Sequence, residues 1–226
     1  MCIIIKIGIG AEKIAYIVPK KGDRYMQTVT MISGILALAL SLTGCRMGTY
    51  PIREQKPAEV NTAIMGASEL TADAAKTWAR DTGASDFFIE LADDYWEWGE
   101  RFGIRPEVMY AQAAYETARG NFGNAVTADM NNFAGIKKSG AVDMAREDHE
   151  SFATPSEGVR AHYNHMSAYV GCEPIGKTHG RYASVMRLSW AGTVKDVSEL
   201  GGKWCPDPEY GNVIIEKFLT PMYKYK

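Results

Sequence analysis

One carboxylate interrupts an otherwise apolar stretch of this sequence. Glu116 lies within residues 111–120, a run rich in alanine that predicts a helix. Helical spacing places it on the face shared by Met109 and Ala113, which predicts a buried side chain. Burial raises the pKa of a carboxyl group, and an acid still protonated near neutrality can protonate the leaving oxygen of a glycosidic bond. The alternative is a structural ion pair with Arg119 or another buried cation.

Three further acids could supply a second carboxyl group. Glycoside cleavage commonly uses two such groups, one as proton donor and one as base or nucleophile. Glu147, Asp148 and Glu150 follow Glu116 by 31 to 34 positions. Loose alternation places them on the return strand of a β-hairpin, residues 142–152, which would fold over the same cleft. The alternative for each acid is a solvated strand edge.

Predicted helices surround these acids and must position them. Periodicity and capping residues predict helices at residues 71–80, 86–101, 106–120, 155–169, 193–200 and after Asp207-Pro208. The capping box of Thr154 and Glu157 is the clearest helix start. The predicted β-structure is one hairpin that turns near residues 138–140. We therefore predict an α+β fold, mainly α, with a small β-hairpin lobe beside the active-site cleft.

The N-terminal sequence has the features of an export signal. Three basic residues precede a mostly apolar run over residues 29–42, which is too short to span a bilayer comfortably. The run ends in LTGC at 42–45, which is similar to the lipobox of bacterial lipoproteins and implies that Cys45 is acylated after cleavage. The alternatives are an uncleaved anchor and a buried N-terminal helix.

The domain boundaries follow from this signal. We expect a signal sequence over residues 1–44, a lipid-anchored tether over 45–84 and a folded domain over 85–226. Charged residues interrupt the first 25 positions, so translation starting at Met26 is an alternative. This arrangement predicts an extracytoplasmic protein that is held at a membrane by its lipid anchor.

Composition excludes several other classes of protein. The 226 residues are 46% hydrophobic and 23% charged, which suffices for one sizeable domain and a tail. Beyond residue 44, 25 acidic residues outnumber 20 basic ones, so we expect no nucleic-acid partner. His162 and His165 lack further ligands at a convincing spacing, so we expect no metal site. Cys172 and Cys205 form either a disulfide or two separate buried thiols.

Four sequence blocks occur in the order typical of one enzyme family. AQAAYETARG at 111–120, NNFAGIK at 131–137, FATPSEGV at 152–159, and LGGKW at 200–204 with YG at 210–211 resemble the bacterial glucosaminidase domains of glycoside hydrolase family 73. The resemblance covers roughly residues 85–223. It implies a lysozyme-like fold, cleavage of peptidoglycan glycan strands, and no cofactor.

The resemblance also implies a role for individual residues. Glu116 would be the general acid, and a second acid would lie on the hairpin, where position favours Glu147 over Asp148 and Glu150. The residues implied to line the substrate groove are Asn132, Phe133, Trp204 and Tyr210. We therefore expect a monomeric endo-β-N-acetylglucosaminidase that cleaves the β-1,4 bond after N-acetylglucosamine.

The sequence departs from the family pattern in two places. The family often has Glu-Ser-Gly-Trp-Gly after its helix, where this chain has ETARG at 116–120, so we expect a different lip of the cleft. Many members carry a catalytic tyrosine where this chain has Trp204, so either Tyr210 or Tyr182 supplies the hydroxyl or the hydroxyl is not needed. Two alternatives stay open: a lytic transglycosylase of lysozyme-like fold and a non-catalytic peptidoglycan-binding lipoprotein.

Overall fold

The computed structural model describes residues 3–9, 12–18, 60–141 and 145–226, and helices account for most of the regular structure there. The chain divides into two units, Met1–Glu54 and Gln55–Lys226. In the first unit, β1 (Ile3–Ile9) and β2 (Glu12–Val18) form an antiparallel pair. The apolar run at residues 29–42 and Cys45, on which the signal and lipid anchor were predicted, lie outside the described residues.

Three helices open the described part of the second unit. They are α1 (Ala72–Asp81), α2 (Asp86–Glu90) and α3 (Ala92–Phe102). The Ser85 side chain caps α2 by accepting a hydrogen bond from a backbone N–H, as the sequence indicates. The single helix predicted over 86–101 is interrupted at Leu91, which ends α2 and precedes α3.

The helix that carries the central glutamate is α4 (Pro106–Glu116), with proline in its first turn as predicted. Its last residue is Glu116 rather than a residue near Gly120. The next backbone turn is left-handed, because φ is 49° at Ala118, 56° at Arg119 and 75° at Gly120. Glu116 therefore lies at a helix end, where the chain turns sharply away.

The predicted hairpin lobe is not confirmed. Lys137 and His149 form a single antiparallel bridge, and short 3₁₀ turns lie at Ala128–Met130 and Arg146–Asp148. Residues 142–144 lie outside the described part, and the rest of the predicted return strand, residues 145–152, is a turn followed by irregular chain. The acidic residues of this segment favour a solvated turn over a paired strand.

The C-terminal half adds one long helix and several short ones. The long helix, α5 (Pro155–Val170), is capped by the Thr154 side chain, and α6 (Gly180–Val185) follows it. The helix predicted over 193–200 is reduced to a 3₁₀ turn. The last helical segments are that turn at Val197–Leu200, α7 (Tyr210–Ile214), a π-helical turn at Ile215–Leu219, α8 (Thr220–Met222) and a 3₁₀ turn at Tyr223–Tyr225.

The hydrophobic core is built around α3, α4 and α5. Tyr95 from α3 contacts the rings of Tyr110 from α4 and Tyr163 from α5 at centroid distances of 5.6 and 5.9 Å. Residues assigned by sequence to the tether also belong to this core, namely Ile64, Leu70, Ala75, Trp78 and Ala79. The folded unit therefore begins before residue 85, because α1 buries its apolar face against the other helices. Within the described residues no helix is both long and apolar enough to cross a membrane.

Candidate active site

The Glu116 carboxylate is held by two side chains from the C-terminal part of the chain. Its Oε1 accepts a hydrogen bond from Trp204 Nε1 at 3.2 Å and a second, short one from the Tyr210 hydroxyl. Its Oε2 faces Gly135, where a Cβ atom would lie 3.6 Å away. The two oxygens are thus inequivalent: Oε1 is committed to two donors, whereas Oε2 adjoins a residue with no side chain.

Burial sets the protonation of this carboxyl group. Desolvation raises the pKa of Glu116 from its usual 4.5 to about 7, and the hydrogen bonds from Tyr210 and Trp204 oppose that rise. The hydrogen bonds oppose it because they stabilise the charged form. Near neutral pH a substantial fraction of Glu116 therefore keeps its proton, as a general acid must.

The backbone turn after α4 is stabilised by one threonine. Thr117 Oγ1 donates to the Ala113 carbonyl at 2.7 Å and accepts from the Gly120 N–H at 2.9 Å. These bonds support the left-handed turn that includes Ala118 and Arg119. The turn ends α4 directly after Glu116 and so leaves its carboxylate at the helix terminus.

Arg119 does not pair with Glu116. Its guanidinium lies over the Phe218 ring, 4.8 Å from the centroid, and 6.0 Å from the centroid of Trp78. No salt bridge within the described residues joins it to the glutamate. The ion-pair alternative for these two residues is therefore wrong, because the left-handed turn directs Arg119 against aromatic rings.

A chain of buried polar side chains extends from Tyr210 into the core. The Tyr210 hydroxyl accepts from Gln112 Nε2 at 3.0 Å, and Gln112 Oε1 lies 3.1 Å from His162 Nε2. His162 Nδ1 in turn lies 2.9 Å from the Tyr95 hydroxyl. All four side chains are at most 1% exposed, and burial lowers the pKa of His162 to about 3, so its ring is neutral.

The local sequence patterns do not predict this series of buried hydrogen bonds. Gln112 was not singled out, although it is a polar residue one helical turn before Glu116 on an apolar helix. His162 was considered only as a metal ligand. The i, i+4 spacing of Gln112 and Glu116 is the signal that could have drawn attention to the amide.

The three acids after the predicted hairpin turn lie on exposed or partly exposed chain. Glu147 is exposed, and its backbone carbonyl accepts from Lys138 Nζ at 2.7 Å. The Glu150 N–H donates to the carbonyl of Ile136, the residue that follows Gly135. No hydrogen bond within the described residues joins Glu147 to Glu116. The acidic segment is instead linked to the site indirectly: Glu150 is hydrogen-bonded to Ile136, whose neighbour Gly135 lies beside Glu116 Oε2.

Two residues expected to line the groove are buried instead. Asn132 is fully buried, and its side chain bonds the N–H and carbonyl of Ile136 and the carbonyl of Glu150 at 2.9 Å each. Phe133 is 1% exposed and packs against Phe87 at a centroid distance of 5.7 Å. Asn132 braces two loop segments and Phe133 fills the core, because the irregular backbone here needs internal partners.

The other two groove residues take different positions from each other. Tyr210 is 1% exposed, so its hydroxyl contacts Glu116 from within the core rather than from the surface. Trp204 is partly buried, and its ring packs against His165 at a centroid distance of 4.7 Å. Both residues approach Glu116 as hydrogen-bond donors.

Among the described residues, cysteines and possible metal ligands form no second site. Cys172 and Cys205 are both partly buried free thiols, so the disulfide alternative does not hold in this structure. Within residues 60–141 and 145–226, no group of three or more His, Cys, Asp or Glu side chains could hold a metal ion.

A mainly helical domain that keeps one glutamate protonated at a helix end is typical of enzymes that cleave glycosidic bonds by acid catalysis. Residues 92–220 match the glucosaminidase family model, described as mannosyl-glycoprotein endo-beta-N-acetylglucosaminidase. The chain therefore belongs to the glucosaminidase family of glycoside hydrolases.

One curated relative is a Borreliella burgdorferi protein named only as an uncharacterized protein. It is 29% identical over 125 residues, which are 54% of this chain and 57% of that protein. The match thus spans a little over half the length of the relative. No solved structure matches the chain significantly.

Proposed function

We propose that this protein hydrolyses peptidoglycan as an endo-β-N-acetylglucosaminidase, with Glu116 as the general acid. The observation that carries the proposal is the Glu116 carboxyl group itself. It is desolvated enough for a pKa of about 7, and its Oε1 is fixed by Trp204 and Tyr210. Membership of the glucosaminidase family supplies the substrate class.

The reaction needs one proton transfer to the leaving group and one water. Glu116 protonates the glycosidic oxygen as the bond to the anomeric carbon breaks, and water adds to that carbon. A second acid removes the proton of the water, and we propose Glu147, Asp148 or Glu150 for this role. Because the acid must be protonated, turnover falls as the pH rises past the pKa of Glu116.

Digestion of purified peptidoglycan by the full chain and its Glu116→Gln variant tests the proposal. We expect new reducing ends from the parent protein and a loss of at least about 100-fold in the variant, because glutamine has no proton to donate. Glu147→Gln, Asp148→Asn and Glu150→Gln, assayed in parallel, identify the second acid by the largest loss. Equal release of reducing ends by the parent and Glu116→Gln would refute the assignment.

Mass spectrometry of the fragments separates hydrolysis from transglycosylation. Hydrolysis adds one water and leaves a reducing N-acetylglucosamine end, whereas a lytic transglycosylase leaves an anhydro sugar. Anhydro products would contradict the hydrolase proposal, and an absence of any product would favour a binding protein.

We further propose that Cys45 carries a lipid that holds the protein at the outer face of a membrane. The proposal depends on the LTGC sequence and the preceding apolar run. Labelled fatty acid should enter the parent protein and not a Cys45→Ala variant. Equal labelling of both would exclude this anchor.

A further inference from the structure

Once the Tyr210 hydroxyl donates to Glu116, the buried hydrogen bonds behind it have one arrangement of protons. The Tyr210 hydroxyl has a single proton, which it donates to Glu116 Oε1, so it must accept from the Gln112 amide nitrogen. The Gln112 amide oxygen then faces His162 Nε2, which must carry hydrogen because an oxygen cannot donate to it. A neutral His162 with hydrogen on Nε2 has an accepting Nδ1, so the Tyr95 hydroxyl donates.

Every donor in this chain therefore points toward the carboxylate. Hydrogen bonds in such a series polarise one another, so each donor strengthens the next in the low-dielectric interior. The last donor, Tyr210, meets the one oxygen that also accepts from Trp204. The His162 ring also packs against the ring of Trp204, the second donor to Glu116, at a centroid distance of 5.5 Å.

We propose that Gln112, His162 and Tyr95 are positioning residues for Glu116. They keep the Tyr210 hydroxyl donating its hydrogen bond to Glu116 Oε1. The transferable proton of the carboxyl group therefore occupies Oε2, which lies beside Gly135. This inference rests on the proposed role of Glu116 as the general acid. It assigns a role in catalysis to three core side chains. Their hydrogen bonds span 67 positions from Tyr95 to His162, 50 from His162 to Gln112 and 98 from Gln112 to Tyr210.

Other titratable groups near the chain do not supply this hydrogen bond. Within the described residues, the donors to Glu116 are Tyr210 and Trp204. Several other titratable groups interact electrostatically with members of the site but make no hydrogen bond to Glu116: Tyr115 and Tyr169 around Glu116, Cys205 near Tyr210, His165 and His179 around His162, and Asp94 and Tyr110 near Tyr95.

Interrupting the chain should make the Glu116 carboxylate harder to form. Gln112→Met keeps the side-chain length but removes the donor to Tyr210 and the acceptor of His162. The polarisation lost should move the Glu116 titration to higher pH by about 0.2–0.7 of a pH unit. Tyr210→Phe removes a whole donor to the charged group and should move it by about 1–2 pH units.

The test measures the titration of Glu116 directly. Full-length protein labelled with ¹³C at glutamate carboxyl groups is titrated by NMR, and the Glu116 resonance is assigned by its loss in Glu116→Gln. The pH profile of kcat/KM on peptidoglycan is recorded beside it, because its basic limb reports the same acid. The NMR titration needs no turnover. An inactive protein would therefore refute the proposed function, whereas the effect of the buried hydrogen bonds on the Glu116 titration could still be measured.

Tyr110→Phe is the matched control. Its hydroxyl is equally buried and donates 2.8 Å to the Phe88 carbonyl, outside the chain. Tyr95→Phe and Tyr110→Phe each lose one buried hydrogen bond and should lose similar stability. We expect the titration of Glu116 to move upward in Tyr95→Phe and to stay in place in Tyr110→Phe.

The size of the shift should increase along the chain toward Glu116. We expect the order Tyr95→Phe, then Gln112→Met, then Tyr210→Phe. If Gln112→Met does not fold, Tyr95→Phe decides the question, because it removes only one hydroxyl. Unchanged titration in both variants, or an equal shift in Tyr110→Phe, would overturn the proposal.

Discussion

Replacing Glu116 by glutamine should raise the stability of the folded protein, relative to its parent, as the pH rises. Between pH 4.5, the usual pKa of a glutamate, and about 7, the folded parent keeps a proton that its unfolded chain has lost. Stability therefore falls as the pH rises through this window. The stability that protonated Glu116 contributes to the folded parent is fully present below pH 4.5 and is lost above about pH 7. Glutamine does not ionise, and its carbonyl oxygen can still accept from Trp204 and Tyr210.

The structure sets the size of this effect. A pKa difference between 4.5 and about 7 corresponds to about 3 kcal/mol, at about 1.4 kcal/mol per pH unit. Glu116 is partly exposed, so solvent screening reduces the expected difference to about 1–3 kcal/mol. The free energy of unfolding of Glu116→Gln, relative to the parent, should thus rise by this amount between pH 4.5 and 8.

Urea denaturation followed by tryptophan fluorescence measures this difference. Both proteins are unfolded at several pH values between 4 and 8.5, and equal m-values establish that the same surface is exposed. Subtraction at each pH removes the titration of groups common to both proteins. The variant Glu147→Gln serves as a control, because it removes the same formal charge as Glu116→Gln but from an exposed position.

Two outcomes would refute the reasoning. A constant stability difference from pH 4 to 8.5 would mean that folding does not desolvate the Glu116 carboxyl group. A difference that favours the parent as the pH rises would mean that the folded state stabilises the charged form. Either result would remove the physical basis for acid catalysis at this position.

Three further predictions about the backbone around the site are tested by thermal or urea denaturation, the first with a control substitution. Ala118→Gly should stabilise the protein by about 0.5–1 kcal/mol, because φ is 49° at this position. The control Ala74→Gly, within α1, should destabilise it by about 1 kcal/mol. Destabilisation by both substitutions would contradict the left-handed turn. Asn132→Ala should lower the free energy of unfolding by about 2–4 kcal/mol, because it leaves buried backbone groups without partners. An unchanged stability would instead favour the predicted role of Asn132 in lining the substrate groove. Gly158→Ala should destabilise α5 by about 2–3 kcal/mol, because its Cβ would lie 1.8 Å from the Asn131 carbonyl oxygen; a gain in stability would show that helix propensity outweighs this clash.

Local sequence signals predicted most of the helices. The cap at Ser85 and the cap at Thr154 depend on a side chain three residues from its backbone partner, so neighbouring residues are enough to specify them. The proline at the start of α4 acts in the same local way. The predicted hairpin strand at 142–152 is not confirmed, because a loose alternation of a few residues does not determine whether a strand finds a partner.

The groove predictions show where sequence patterns stop being sufficient. The family resemblance at 131–137 implies substrate contacts for Asn132 and Phe133, yet both side chains are buried. A sequence pattern reports residue types and their order. It does not report whether an asparagine faces a substrate or braces two loop segments, because that depends on which backbone groups tertiary packing leaves without partners.

The sequence by itself determined the family, the helix that carries Glu116 and the apolar surroundings that raise the pKa of a carboxyl group. Only the tertiary structure decided which side chains hold that group. Trp204 and Tyr210 reach Glu116 across 88 and 94 positions, and Gln112 reaches Tyr210 across 98. Periodicity and capping describe contacts within a few residues, whereas contacts of this length exist only once the helices have packed into one core.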